Sequence, residues 1–222
     1  TEPAFALHSD PDQATVDVEV DLPLPAFEGT GTASLRVELL DRIVYDALVR
    51  RLDLDVSAGT APFDEIGPGT NSIVSSLDAP ALYAVTDAER VDATLQALLD
   101  EYERAARFGF TDTEIATAAA TLQAEFGALL DGRDTAQDAD LADRYVEHFL
   151  TGASYAGVAD LHVVATAELE AVDAEAAHRR FLARWTNTAP HVIISTPESV
   201  ADAMPAEADV LAVGTPAYMP PE

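Results

Sequence analysis

The chain has 222 residues, and its 40 acidic and 12 basic side chains give a formal net charge of −28 at pH 7. Hydrophobic residues make up 48% of the sequence, which excludes a disordered acidic protein and allows a sizeable core. The absence of cysteine excludes disulfides, thiolate zinc sites and cysteine nucleophiles. No apolar run could cross a membrane and no targeting signal is visible; the start at Thr1, without Met, predicts a piece of a longer chain.

The strong negative charge bears on partners and on habitat. It repels nucleic acid and anionic membranes, so we expect neither as a partner. All the basic residues are arginine, and the carboxylates are spread along the whole sequence. We interpret this pattern as adaptation to molar salt, where a Debye length of about 3 Å screens self-repulsion. A free-standing acidic mimic of nucleic acid is an alternative. The sequence therefore predicts a soluble protein of a high-salt environment and leaves its cell compartment open.

The first part of the chain predicts strands around one long helix. Alternation of polar and apolar residues favours strands over residues 4–8 and 14–22. Apolar residues at every third or fourth position then predict a helix over 33–51. The Gly67-Pro68-Gly69 run indicates a turn-rich loop. Two further strands are predicted over about 70–77 and 81–86.

The second part is mainly helical. Thr86 with Glu89, and Thr111 with Glu114, have the spacing of capping boxes and predict two helix starts. Gly109 between them predicts a helix end, because glycine adopts left-handed backbone conformations. Further helices are predicted over 136–150, 154–163 and 167–185, and strands over 191–195 and 209–213.

This order of elements predicts one α+β domain over residues 1–222, because no linker or repeat divides the chain. We expect a mixed, mainly antiparallel sheet with helices packed on one face. Residues 204–222, which contain several prolines, are predicted to form an extended C-terminal tail.

Several short sequence motifs resemble those of the insulinase/pitrilysin-type zinc peptidases. They follow the family's order over most of the chain, from about residue 4 to 200, and include an early helix ending in residues 48–52. The later motifs are residues 105–115, 147–152, 166–172 and 192–197. The resemblance implies a metallohydrolase-like domain of the mitochondrial-processing-peptidase type.

The family's catalytic motif is missing from the position where the resemblance implies it. Catalytic domains carry H-x-x-E-H on the first helix, where two histidines bind zinc and the glutamate activates water. The predicted helix over 33–51 contains no histidine, and no two of the five histidines stand four residues apart. The nearest string, residues 144–148, has Arg144 where the first ligand should be. We therefore assign no catalytic, cofactor-binding or metal-binding residue to this chain.

The resemblance implies a zinc-free, non-catalytic domain of a zinc metallopeptidase. Such a domain would form part of the substrate chamber and support a catalytic domain outside this chain, where the zinc is expected. Its partners would be that catalytic domain, on the same polypeptide or on a partner subunit, and a peptide substrate. The alternative is a non-enzymatic subunit of the same fold that serves assembly or protein binding.

Overall fold

The computed structural model describes residues 2–25, 31–70, 77–135 and 156–213, and the isolated positions Ala142, Tyr145, Val146 and Phe149. A five-stranded mixed sheet lies at the centre of the described chain. Its strands are β1 (Ala4–Asp10), β2 (Val16–Asp21), β4 (Glu65–Thr70), β6 (Pro80–Thr86) and β7 (His191–Pro197). The short strands β3 (Leu24–Pro25) and β5 (Leu77–Asp78) form a separate pair.

The sheet order is β1-β7-β2-β6-β4, in which β1 and β7 are parallel and the other neighbours are antiparallel. The predicted mixed, mainly antiparallel sheet is thus confirmed. Two 3₁₀ segments, Arg133–Thr135 and Glu198–Ala203, accompany the helices. The helices are α1 (Thr32–Ala58), α2 (Val91–Phe108), α3 (Asp112–Gly132), α4 (Val158–Glu170), α5 (Ala174–Trp185) and α6 (Glu207–Val213).

The helices cover one face of the sheet, as the burial along β2 shows. Val16, Val18 and Val20 are buried, whereas Asp17 and Glu19 between them point to the other face and are half-buried. The same alternation runs along β7. One hydrophobic core joins the sheet to helices α1 to α6 among the described residues.

Aromatic residues fill the core where α2 meets α5. The ring of Tyr102 lies 6.0 Å from that of Phe181 and 5.8 Å from that of Trp185, between centroids. The hydroxyl of Tyr102 donates to the carbonyl of Val20 at 2.9 Å, which ties α2 to the central strand. Trp185 is buried, as its place on an amphipathic helix predicts.

One of the two predicted capping boxes is present. Thr111 Oγ1 accepts from the Glu114 backbone N–H, and the Glu114 carboxylate accepts from the Thr111 backbone N–H. The capping box predicted at Thr86 is wrong, because Thr86 ends β6 and its hydroxyl donates to the Pro62 carbonyl. Asp87 instead accepts from the backbone N–H groups just before α2.

Three other local predictions need correction. The loop predicted at Gly67-Pro68-Gly69 is part of strand β4, where Gly67 and Gly69 pair with β6. The helix predicted over 167–185 is two helices, because Asp173 caps a new start by accepting from the Ala176 N–H. The strand predicted over 209–213 lies in helix α6, which buries Val210 against the core.

Some predictions fall outside the part of the chain that the structure describes. They concern most of the helix over 136–150, most of the strand over 70–77, and residues 214–222 of the tail. Within the tail predicted as extended, residues 207–213 are helical instead. Among the described residues, no helix has the length and hydropathy needed to cross a membrane.

Candidate functional site

Helix α1 is the element on which the resemblance places a zinc motif, and its buried face packs in the hydrophobic core. Its buried face is entirely aliphatic and aromatic, and its ends are marked by Gly31 and Gly59. The histidines of the described chain lie elsewhere, with His8 on β1, His162 on α4 and His178 on α5. His191 opens β7.

Metal ligands do not converge in the described part of the chain. No group of three or more His, Cys, Asp or Glu side chains there could hold a metal ion. The string over residues 144–148 lies largely outside the described residues, so the structure places neither Arg144 nor His148.

A cluster around Arg51 joins α1 to the turn between α2 and α3. Arg51 Nη1 donates to Glu101 Oε1 at 2.9 Å, and Nε donates to Glu114 Oε1 at 2.5 Å. Nη2 donates to the carbonyl of Gly109 at 2.8 Å, and the guanidinium lies 5.0 Å from the ring centroid of Phe110. We call this set the Arg51 cluster. It fixes the α2–α3 turn, which lies within residues 105–115 of the resemblance.

The two carboxylates of the Arg51 cluster have pKa values shifted in opposite directions. The hydrogen bond from Arg51 lowers the pKa of Glu114 to about 2, with help from the Thr111 N–H. Burial raises the pKa of Glu101 above its ordinary value, although Arg51 and Arg104 oppose that shift. Glu114 therefore stays ionised at neutral pH as a capping and ion-pairing group.

A second cluster surrounds Arg184 of α5, whose side chain is almost wholly buried. Arg184 Nη1 donates to the Leu22 carbonyl at 2.9 Å, and Nη2 donates to Asp78 Oδ2 at 2.6 Å and to Asp41 Oδ2 at 3.1 Å. Arg180 donates to both carboxylate oxygens of Asp41, at 2.7 and 2.6 Å. This Arg184 cluster connects α1, α5, β5 and the end of β2, and it was not anticipated from the sequence. The only signal was the Arg180/Arg184 spacing on one helix.

The face of the sheet that the described helices leave open carries carboxylates around Tyr83. Asp17 and Glu19 lie on β2 and Glu65 on β4, on either side of Tyr83 in β6. Burial and a hydrogen bond to Asp17, reinforced by the neighbouring carboxylates, raise the pKa of Tyr83 to about 12. Tyr83 therefore remains a hydroxyl donor at neutral pH.

A groove of about 360 Å³, with apolar and charged side chains in its lining, lies between α1 and α3. Asp46, Arg50 and Asp53 line it on one side, and Thr121 and Glu125 on the other. Burial raises the pKa of Asp46 above its ordinary value, against the effect of its arginine neighbours. The groove brings together carboxylates and a guanidinium, and the described residues that line it form no nucleophile–base pair.

The comparisons with known proteins concern the fold. No family model matches the sequence, and no curated protein matches it. Among solved structures, the first half of the periplasmic protease PqqL from Escherichia coli has a TM-score of 0.83 at 12% identity. The match covers 96% of this chain and 46% of that one.

Two further structures extend this likeness. An insulinase family protease from Yersinia pestis has a TM-score of 0.76 at 11% identity, covering 96% of this chain and 45% of that one. An inactive domain of an M16 peptidase from Pseudomonas fluorescens has a TM-score of 0.59 at 12% identity, covering 88% and 44%. The chain spans less than half the length of each of these three chains. It therefore has the fold of insulinase-family, or M16, peptidase domains.

Proposed function

We propose that this chain is a zinc-free, non-catalytic domain of an insulinase-type zinc metallopeptidase. In that role it forms part of the substrate chamber and supports a catalytic domain that lies outside the chain. The observation that carries the proposal is helix α1. It is the first helix of a chain with the fold of insulinase-family domains, and the resemblance puts the zinc motif on that helix, yet it contains no histidine. The likeness to an inactive M16 domain supports the same reading.

The way in which α1 is held suits a supporting role. Arg51 connects the helix to the α2–α3 turn, and Asp41 connects it to α5 through Arg184. These contacts fix α1 between the two clusters, and the described helices leave the other face of the sheet open. A rigid helical layer behind an open sheet face can present a fixed surface to a neighbouring domain or a peptide.

Reconstitution tests this function. The chain would be mixed, in molar KCl, with the segment or subunit of its parent protein that carries H-x-x-E-H, and cleavage of a quenched fluorescent peptide would be followed. We expect no cleavage by this chain alone and at least a tenfold gain when both parts are present. A matched control replaces the motif glutamate of the catalytic part with glutamine, which should abolish cleavage in the mixture.

Two outcomes would overturn the proposal. One is chelator-sensitive cleavage by this chain alone, which would require a zinc site within it. The other is a stoichiometric complex with the parent's other parts that has no peptidase activity under any condition. That result would favour the alternative, an assembly or protein-binding subunit of the same fold.

A further inference from the structure

Strand β1 is an edge strand with unusual chemistry for this protein. Among the described strands only β7 pairs with it, so its outer edge has no described neighbour. Residues 4–9 contain no Asp, Glu, Lys or Arg, in a chain where 23% of residues are of these four types. Leu7 leaves 43% of its surface exposed. An exposed edge strand whose only carboxylate, Asp10, lies at its end is a template for pairing with another strand.

The pairing pattern shows which backbone groups of β1 face outward. The Leu22 N–H donates to the Pro80 carbonyl. The backbone hydrogen-bonding groups of Pro80, and of every second residue after it on β6, therefore point to β2. Because these groups alternate along a strand, the backbone N–H and C=O of Val20 point to β6 and those of Glu19 point to β7. On β7 the partner of Glu19, Ile193, faces back to β2, so the residues on either side of it face β1.

Parallel pairing extends this alternation to β1 itself. The backbone groups of Val192 and Ile194 point to β1. In a parallel pair they bond to the residues before and after their register partners, which are Phe5 and Leu7. The backbone groups of Ala6 therefore bond to β7. The N–H and C=O groups of Leu7, and of Phe5 and Ser9 two residues on either side, therefore point to the free edge. These three residues provide three donors and three acceptors in a row, as an added strand requires.

The opposite edge of the sheet is closed to such pairing. Val85 accepts from the Asp64 N–H, so odd-numbered residues of β6 face β4, and Gly67 and Gly69 face them. Pro68 therefore points its ring nitrogen outward, where an incoming strand would need an N–H donor. Proline on an edge strand protects that edge against strand addition. β1 has no such device.

The surroundings of β1 are acidic. Helix α6 and the 3₁₀ turn Glu198–Ala203 pack beside it, and they expose Glu198, Asp202, Glu207 and Asp209. The sequence contains no arginine over residues 1–35 or 186–213. A cationic segment is therefore favoured next to β1, and a second copy of this chain, with a charge of −28, is disfavoured.

We propose that the outer edge of β1 binds an extended, basic peptide substrate as an added β-strand. This inference rests on the proposed function, in that the peptide is taken as substrate of the assembled peptidase. Backbone groups of Phe5, Leu7 and Ser9 hold the peptide in an extended form, and its apolar side chains lie beside Leu7. Its Arg or Lys side chains lie against the carboxylates of α6 and the 3₁₀ turn.

A designed peptide tests the edge directly on the 222-residue chain, which has its own continuous core. The probe is a fluorescein-labelled octapeptide of alternating Val and Thr with Arg at both ends. Its binding would be followed by anisotropy at the lowest salt that keeps the native circular dichroism spectrum. We expect saturable binding that weakens at least tenfold in Leu7→Pro and stays unchanged in the matched control Leu7→Val. Proline removes one outward N–H and leaves the bonds of Ala6 and His8 to β7 in place.

Two N-methylated forms of the peptide keep the proposal testable if Leu7→Pro does not fold. Each form carries methyl groups on one set of alternate amides. Strand addition predicts that one form loses binding and the other retains it, since only alternate amides face β1. Equal binding by both forms, or equal binding to Leu7→Pro and Leu7→Val, would overturn the proposal. So would a dimer of the chain that Leu7→Pro dissociates, because the edge would then hold a second copy.

The reconstituted peptidase separates this inference from the proposed function. With Leu7→Pro in the mixture, KM for a basic peptide should rise at least tenfold with kcat nearly unchanged, and KM for an acidic peptide should not move. An unchanged KM for the basic peptide would contradict strand addition at β1 and would leave the proposed supporting role intact. If wild-type chain fails to raise activity at all, the proposed function itself is wrong.

Discussion

Arg51 and Arg184 show how a chain poor in basic residues uses its few cations. Each is almost fully buried and binds carboxylates and a backbone carbonyl from distant parts of the chain. The planar guanidinium with five donors suits this task, which an ammonium could not perform. The sequence could not reveal these contacts, because the partners lie 50 or more positions away along the chain.

Loss of the Arg51 guanidinium should cost far more than loss of an exposed one. Arg51→Ala leaves the buried carboxylate of Glu101 without this partner, so we expect the free energy of unfolding to fall by about 3–5 kcal/mol. Arg42→Ala on the same helix removes an exposed ion pair with Glu125 and should cost about 0–1 kcal/mol. Urea unfolding in molar salt measures both. Similar losses in the two variants would contradict the role assigned to the Arg51 cluster.

The depressed pKa of Glu114 predicts a specific acid dependence. Its pKa is about 2 in the folded chain against 4.5 ordinarily, so its contribution to stability is present above pH 4.5 and lost as the pH falls towards 2. The difference in free energy of unfolding between wild type and Glu114→Gln should therefore shrink over that range. Glu175→Gln, at an exposed pair with Arg179, is the control. A difference that stays constant between pH 5 and pH 2 would contradict this account.

Elements with strong periodicity or a specific cap were predictable, and those shaped by their neighbours were not. The buried face of α1 and the capping box at Thr111 follow from local pattern. Thr86 has the same spacing to a glutamate, but tertiary contact with the Pro62 carbonyl takes its hydroxyl. Strand β4 was missed because its glycines and Pro68 read as a turn until β6 pairs with them.

The glycine between α2 and α3 should resist substitution, in contrast to one within α3. Gly109 has a φ of 68°, and an added Cβ would lie 2.9 Å from the His178 ring. Gly109→Ala should therefore lower the free energy of unfolding by about 1–3 kcal/mol. Gly127 lies inside α3 with open space around it, so Gly127→Ala should raise stability by about 0.5–1 kcal/mol. Chemical denaturation of both variants checks the contrast, and a stabilising Gly109→Ala would contradict it.

At the scale of the whole molecule, the fold follows from burial and the surface from charge. The order of the predicted strands and helices, with alternation along β2 and periodicity along α1, predicted helices on one face of a mixed sheet. The candidate sites depend instead on long-range contacts, such as that of Arg184 with Asp41 and Asp78. No pattern within a single element could have shown the free edge of β1, because an edge is defined by what lies beside it.

The charge of −28 predicts a salt requirement for folding. We propose that the chain is adapted to molar salt, and we expect native circular dichroism in 2–3 M KCl and loss of structure near 0.1 M, where the Debye length is about 10 Å. Replacing the exposed Asp53, Asp55 and Asp92 with asparagine should lower the salt needed for folding. A chain that stays fully folded at 0.1 M salt would contradict this proposal and favour the acidic mimic of nucleic acid.

In the proposed function, this domain contributes surface and support to a zinc peptidase without holding zinc itself. The most direct test is metal stoichiometry on the 222-residue chain, purified in molar salt, offered excess zinc and washed with a weak chelator to clear surface carboxylates. Mass spectrometry should then find a zinc content near zero per chain. One tightly held zinc per chain would contradict the account, because it would mean a metal site within the chain.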